Sequence, residues 1–110
     1  MLARGNTCFK AIPIPDFDAT IETLYVTFVQ NDYVVLEKNL NDVTFDKLET
    51  DTNHVIVRLV QSETLKFKYT GIPSKDAIKV QLRLRTDDNE AYSSSIMVEQ
   101  LYDALKGGLV

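Results

Sequence analysis

The sequence predicts an all-β protein: an antiparallel β-sandwich, Ig-like or jelly-roll-like, of about seven strands with a short C-terminal helical turn. Three observations lead there. Hydrophobicity alternates with a period of two along much of the chain. The plainest case is "IKVQLRLR" (78–85), where Ile78, Val80, Leu82 and Leu84 share one face and Lys79, Gln81, Arg83 and Arg85 the other. Turn-forming residues recur about every 8–12 positions, the spacing of short strands joined by tight connections. Only two brief stretches carry a helical pattern.

Each element follows from its residues. "MLARGNT" precedes the first strand and, as a terminal arm, is expected to add little to a core. "TCFKAI" (7–12) reads as a strand closed by Pro13 and Pro15, because proline donates nothing to a ladder. "LYVTFV" (24–29) is apolar on both faces, which suits a central strand. Gln30, Asn31 and Asp32 supply a tight turn, and "YVVLEK" (33–38) returns as the hairpin partner. "VTF" (43–45) is a short strand, followed by the polar turn "DKLETDTN". "HVIVRLV" (54–60) points Val55, Val57 and Leu59 inward. "QSETL" then breaks the alternation with one helical turn capped by Ser62, and Leu65 and Phe67 dip back to plug the end of the core. Such a corner carries a chain from one sheet to the other.

Gly71, Pro73 and Ser74 mark a loop before the Ile78 strand, and "TDDNE" (86–90) a turn after it. "AYSSSIMV" (91–98) is the last strand, with Tyr92, Ser94, Ile96 and Val98 on one face. Val98, Leu101, Tyr102 and Leu105 stand at helical spacing before Gly107 and Gly108, the predicted C-terminal turn. The expected core is Leu24, Val26, Phe28, Val55, Val57, Leu59, Leu65, Val80, Leu82 and Leu84.

Composition bounds the class. A chain of 110 residues, 45% hydrophobic and 25% charged, is expected to fold as a single domain spanning 1–110 without staples. Its one cysteine, Cys8, permits no internal disulfide and fits synthesis in a reducing compartment. No apolar run approaches the roughly 18 residues of a membrane helix, and "MLARGNTCFK" lacks the apolar stretch of a signal peptide. A net charge of −4 argues against a nucleic-acid surface.

The residues offer little catalytic chemistry. Any imidazole-dependent site would have to use His54, the only histidine, at the start of a strand. Cys8 reads as a small hydrophobe. "TDDNE" lacks the spacing of a calcium loop and reads as a solvated hairpin tip. No glycine-rich phosphate loop is present. The expectation is therefore no enzyme, no cofactor and no metal. Lys79, Arg83 and Arg85 form a basic stripe, fitted to cross-strand acids or an acidic subunit surface. Tyr25, Val29, Tyr33 and Val35 would leave a considerable apolar face if only one side of their sheet were covered, and such faces mark interfaces. The tip Leu109–Val110, after two flexible glycines, suits docking on a neighbour.

Several segments, taken in order, resemble a family of small proteins from bacteriophage and prophage structural-gene regions. They are the opening Arg4-Gly5-Asn6-Thr7, the hairpin "VTFVQNDYVVLEK", the corner Gln61-Ser62-Glu63-Thr64-Leu65-Lys66-Phe67, the strand from Ile78 to Arg83, the strand from Ala91 to Ile96, and the ending "GGLV". The opening also resembles the start of the N-terminal β-domain of phage baseplate upper proteins. The resemblance spans nearly the whole chain, which departs from it by "SKDAI" after Gly71 and a longer acidic stretch at 46–52. It implies a non-enzymatic structural component of a tailed particle, in the head-tail connector, neck, tail or baseplate. Such a component would be made in the bacterial host cytoplasm, reside in the virion and contact other virion proteins in a homo-oligomer or symmetric assembly. It would touch neither nucleic acid nor membrane directly, and the resemblance carries over no catalytic residue. The other class left open is a monomeric binding module for a host-surface or carbohydrate ligand.

Overall fold

The computed structural model describes residues 2–15, 20–47 and 53–103. Among them are nine strands: β1 (Leu2–Arg4), β2 (Cys8–Pro13), β3 (Ile21–Gln30), β4 (Tyr33–Asn39), β5 (Val43–Lys47), β6 (Asn53–Leu59), β7 (Ala77–Thr86), β8 (Ala91–Ser93) and β9 (Met97–Asp103). A 3-10 turn (Leu40–Asp42) precedes β5, and one helical turn, α1 (Gln61–Thr64), follows β6. The larger sheet runs β1-β9-β7-β3-β4, with β8 also beside β7; the smaller runs β2-β6-β5. The protein is thus mostly β, and six of the seven expected strand segments are found as single strands, the exception being 91–98.

Both sheets feed one hydrophobic cluster. Ile12, Val55, Val57 and Leu59 come from the smaller sheet, and Leu24, Val26, Phe28, Ile78, Val80, Leu82, Leu84 and Leu101 from the larger. Strict alternation on β3 and β7 puts their even-numbered apolar residues in this core, because successive side chains of a strand point to opposite faces. Of the expected core residues, all but Leu65 are buried. Phe67 takes the plugging role that Leu65 was expected to share. Its ring meets Phe28 edge-on, with centroids 6.2 Å apart.

The turns follow residue chemistry. Asn31 and Asp32 both have positive φ (51° and 66°), the two-residue turn whose twist matches a hairpin. At 86–90 the carboxylate of Asp88 accepts from the Thr86 hydroxyl, and the backbone closes through Thr86 N–H to the Glu90 carbonyl (2.8 Å). The acidic turn is a capped hairpin tip.

The structure corrects several expectations. The larger sheet is mixed, since β1 runs parallel to β9, pairing Leu2 with Leu101. Leu2 is buried, so the residues before the first expected strand do contribute to the core. Residues 97–103 are strand, not helix. Backbone pairing of 97–100 with β7 and of 101–103 with β1 satisfies groups that a helix of two turns would have had to satisfy alone. The rest of the expected helical turn, including Leu105, Gly107 and Gly108, lies outside the described residues. The cap of the helical turn at the corner lies two residues earlier than expected: Val60 occupies the N-cap position, and its N–H donates to the Glu63 carboxylate (3.0 Å), leaving Ser62 exposed.

The strand expected at 91–98 is broken in two. Ser94 N–H donates to the Leu82 carbonyl (2.8 Å), while Leu82 N–H donates to Ser94 Oγ (2.9 Å) in place of a backbone carbonyl. This shifts the phase. Tyr92 and Ser94 turn toward the core, whereas Ile96 and Val98 face solvent.

Two polar latches fix the connections. Buried Thr64 accepts from Gly5 N–H (3.1 Å) and donates to the Asn6 carbonyl (2.9 Å), while Gln61 Nε2 donates to the Gly5 carbonyl (2.9 Å) and Arg4 Nε to that of Phe67 (2.9 Å). Gly5 has φ +86°, a conformation that glycine adopts without steric cost. The opening turn and the corner at 61–67 therefore hold each other. In the second latch, Asp76 takes Thr70 N–H and Oγ1 on one oxygen (2.8 and 2.7 Å) and Gly71 N–H on the other (2.9 Å). Gln30 fastens the same loop through Lys68 and Lys75.

Candidate functional site

The solvent face of the larger sheet is built by the odd-numbered residues of β3 and β7. Register pairs Tyr25 with Arg83, Thr23 with Arg85, Thr27 with Gln81 and Val29 with Lys79. On the far side of β7, Ser93 lies opposite Arg83, Ala91 opposite Arg85, and Val98 opposite Lys79. Five of the expected interface residues, Tyr25, Val29, Lys79, Arg83 and Arg85, thus share one face.

Tyr33 and Val35 do not. The β3–β4 ladder shifts by one residue between Phe28 and Val29, so Val34 rather than Val35 lies opposite Val29. Val35 becomes the extra residue of a bulge and packs, half-buried, against the core. Tyr33 pairs with Gln30, on the opposite side of the sheet from Val29, and is exposed at the hairpin end. Leu109 and Val110 lie outside the described residues. Sequence reasoning missed Val34 and Val98, each 63% exposed and flanking the Val29–Lys79 pair. A signal for Val34 was present, because the apolar run Val34-Val35-Leu36 cannot follow a period of two.

The face has relief and charge. Tyr25, Thr27, Glu37, Arg83, Arg85 and Ser93 border an open depression of about 460 Å³. A second, of about 190 Å³, lies at the other end beside Val29, Asp32 and Lys79. Glu37 accepts from the Thr27 hydroxyl (3.1 Å), and Arg85 meets Glu22 at 3.4 Å, both about half exposed. Among the described residues, neither Lys79 nor Arg83 has an ion-pair partner.

The perturbed carboxylates lie elsewhere. Burial pushes Asp76 up, but its bonds from Thr70 and Gly71 prevail and hold it below the usual aspartate value. Burial likewise raises Glu63 and Glu99, and the ammonium groups of Lys38 and Lys10 prevail in lowering them. Each of these groups joins parts of the fold: Glu63 ties α1 to β4, and Glu99 ties β9 to β2 across the two sheets. His54 is half-buried on β6 in register with Pro13, and Cys8 is half-buried against the core. Among the described residues no cluster of His, Cys, Asp and Glu is fit to hold a metal ion, every buried side-chain polar atom has a partner, and no helix is long and apolar enough to cross a membrane.

No family model, curated protein or solved structure matches the chain. The geometry therefore stands alone: a wide, open sheet face with apolar and cationic side chains.

Proposed function

We propose that this chain is a non-enzymatic assembly component of a tailed bacteriophage or prophage-derived particle, in the head-tail connector, neck, tail or baseplate. In this reading it is made in the bacterial host cytoplasm and resides in the virion. It packs its two sheets as a sandwich, Ig-like or jelly-roll-like, and contacts other virion proteins in a repeating assembly. The observation that carries the reading is the solvent face of the larger sheet, where Tyr25, Val29, Val34 and Val98 surround the cations of β7. Apolar side chains gathered on one open face favour a protein neighbour. The resemblance to phage structural-gene proteins adds the particle. Two of its segments, Arg4–Thr7 and Gln61–Phe67, bond to one another, which suits a structural role for both.

Mass spectrometry of gradient-purified particles should find the chain at a fixed ratio to the major virion proteins. Its absence from such particles overturns the proposal. A second reading, a carbohydrate- or host-surface-binding module, is favoured by Tyr25 bordering the same depression as Arg83 and Glu37. It predicts that Tyr25→Ala abolishes retention on immobilised glycans. An assembly module shows no such retention to lose.

A further inference from the structure

We infer that the β7 face docks an extended acidic segment of a neighbouring protein, with carboxylates spaced to meet Lys79, Arg83 and Arg85. This rests on the assembly reading and adds the chemistry of the neighbour. The three cations project from one strand to one side, all exposed. Same-side residues of a strand recur about every 7 Å, so Arg83 and Arg85 stand about 7 Å apart and Lys79 about 13 Å from Arg83. An extended peptide repeats its own side chains at the same interval. Acids at i, i+4 and i+6 on a peptide parallel to β7, or at i, i+2 and i+6 on an antiparallel one, therefore meet all three cations. The remaining same-side position faces the amide of Gln81.

The flanks fit such a guest. Val29 and Val98 border Lys79, and Tyr25 borders Arg83, so the trough offers apolar walls to the residues between the acids. The two depressions on this face lie at either end of the row. Charge selects among occupants. Lys79 and Arg83 have no ion-pair partner among the described residues, so an incoming carboxylate is the complementary group for each. A second copy docking this face on itself would bring like-charged rows together, which opposes a two-fold contact. A nucleic acid would find only Tyr25 and the half-buried Tyr92 bordering the larger depression, too few rings for bases stacked along the row.

The test uses the whole chain and a fluorescein-labelled nonapeptide of Glu, Ser and Val with Glu at the first, fifth and seventh positions. The control peptide has the same composition with its three Glu adjacent. Anisotropy should show the spaced peptide binding more tightly, and binding should weaken as salt rises from about 20 mM to about 300 mM. Arg83→Glu should weaken it about tenfold or more. Arg83→Gln with Lys79→Gln should also weaken it, which guards against a fold effect of charge reversal. Unchanged melting curves for these solvent-facing variants establish that the fold is intact. Equal binding of the two peptides, or unchanged binding by the variants, overturns the inference. So does tighter binding of a thymidine decanucleotide to the same face, or self-association in sedimentation that Arg83→Glu abolishes, since each assigns the face to another occupant.

Discussion

Replacing Thr64 with Val should destabilise the protein by about 2–4 kcal/mol, although the two side chains have nearly the same shape. The hydroxyl sits in the latch between the opening turn and the corner, where it accepts from Gly5 N–H and donates to the Asn6 carbonyl. Gly5 is itself buried, so its N–H would be left without an acceptor, at a cost of about 1–3 kcal/mol. The bond to Asn6 adds about 0.5–1.5 kcal/mol, at the low end because Asn6 is exposed and its carbonyl can turn to water. Thr64→Ser is the control: it keeps the hydroxyl and loses one methyl, worth about 0.8 kcal/mol. Urea denaturation gives both differences, and hydrogen exchange at the Gly5 amide reports the latch directly. In Thr64→Val that amide should exchange by local opening well below the global unfolding free energy. A loss under about 0.5 kcal/mol for Thr64→Val, or a larger loss for Thr64→Ser than for Thr64→Val, refutes the argument that the hydroxyl rather than the methyl holds the corner.

Leu82→Ala should cost about 2–5 kcal/mol, because Leu82 is fully buried on the central strand; a cost below about 0.5 kcal/mol would mean that the phase of β7 is wrong. Acid sensitivity should depend on Asp76. Its folded value lies below the ordinary 3.8, so its contribution is present above the unfolded value and is lost as pH falls through the folded one. Asp76→Asn, which turns an NH₂ toward the loop donors, should therefore lower stability at neutral pH and flatten the loss seen on acidification below about pH 4; an unchanged acid slope counts against the Asp76 latch. A double-mutant cycle between Lys10 and Glu99 should give a coupling of about 1 kcal/mol linking the two sheets, and zero coupling would show that the pair adds nothing to their association. Changing both His54 and Cys8 to Ala should leave peptide binding by the β7 face intact, and a loss would place the functional surface elsewhere.

The parts of the fold legible in the sequence are those where one physical signal acts alone. On β7 four alternating apolar residues meet four polar ones, and all four apolar residues are buried. At Asn31-Asp32 turn chemistry and strand pattern agree. Reading failed where a side chain or a bulge altered the period. Ser94 lends its hydroxyl to the ladder, and Val34-Val35-Leu36 admits an extra residue, so each shifts the phase of the residues next to it. Val98, Leu101 and Tyr102 stand at helical spacing, and the partner strands β7 and β1 override it, turning Leu101 to the core and the other two to solvent. The parallel pairing of Leu2–Arg4 with β9 is non-local and leaves no mark in three residues. On the candidate face the cations of β7, Tyr25 and Val29 were legible for the same reason as the core, since they are the other half of the same alternation. Val34 and Val98 were hidden by the two phase shifts.

The most direct test of the account is lysine footprinting of purified particles, read by mass spectrometry at Lys79. The account predicts that the chain is present and that Lys79, exposed in the isolated protein, reacts far more slowly in the particle because a neighbour covers the β7 face. A chain that is present with Lys79 as reactive as in the free protein, or one that is missing from the particles, contradicts it.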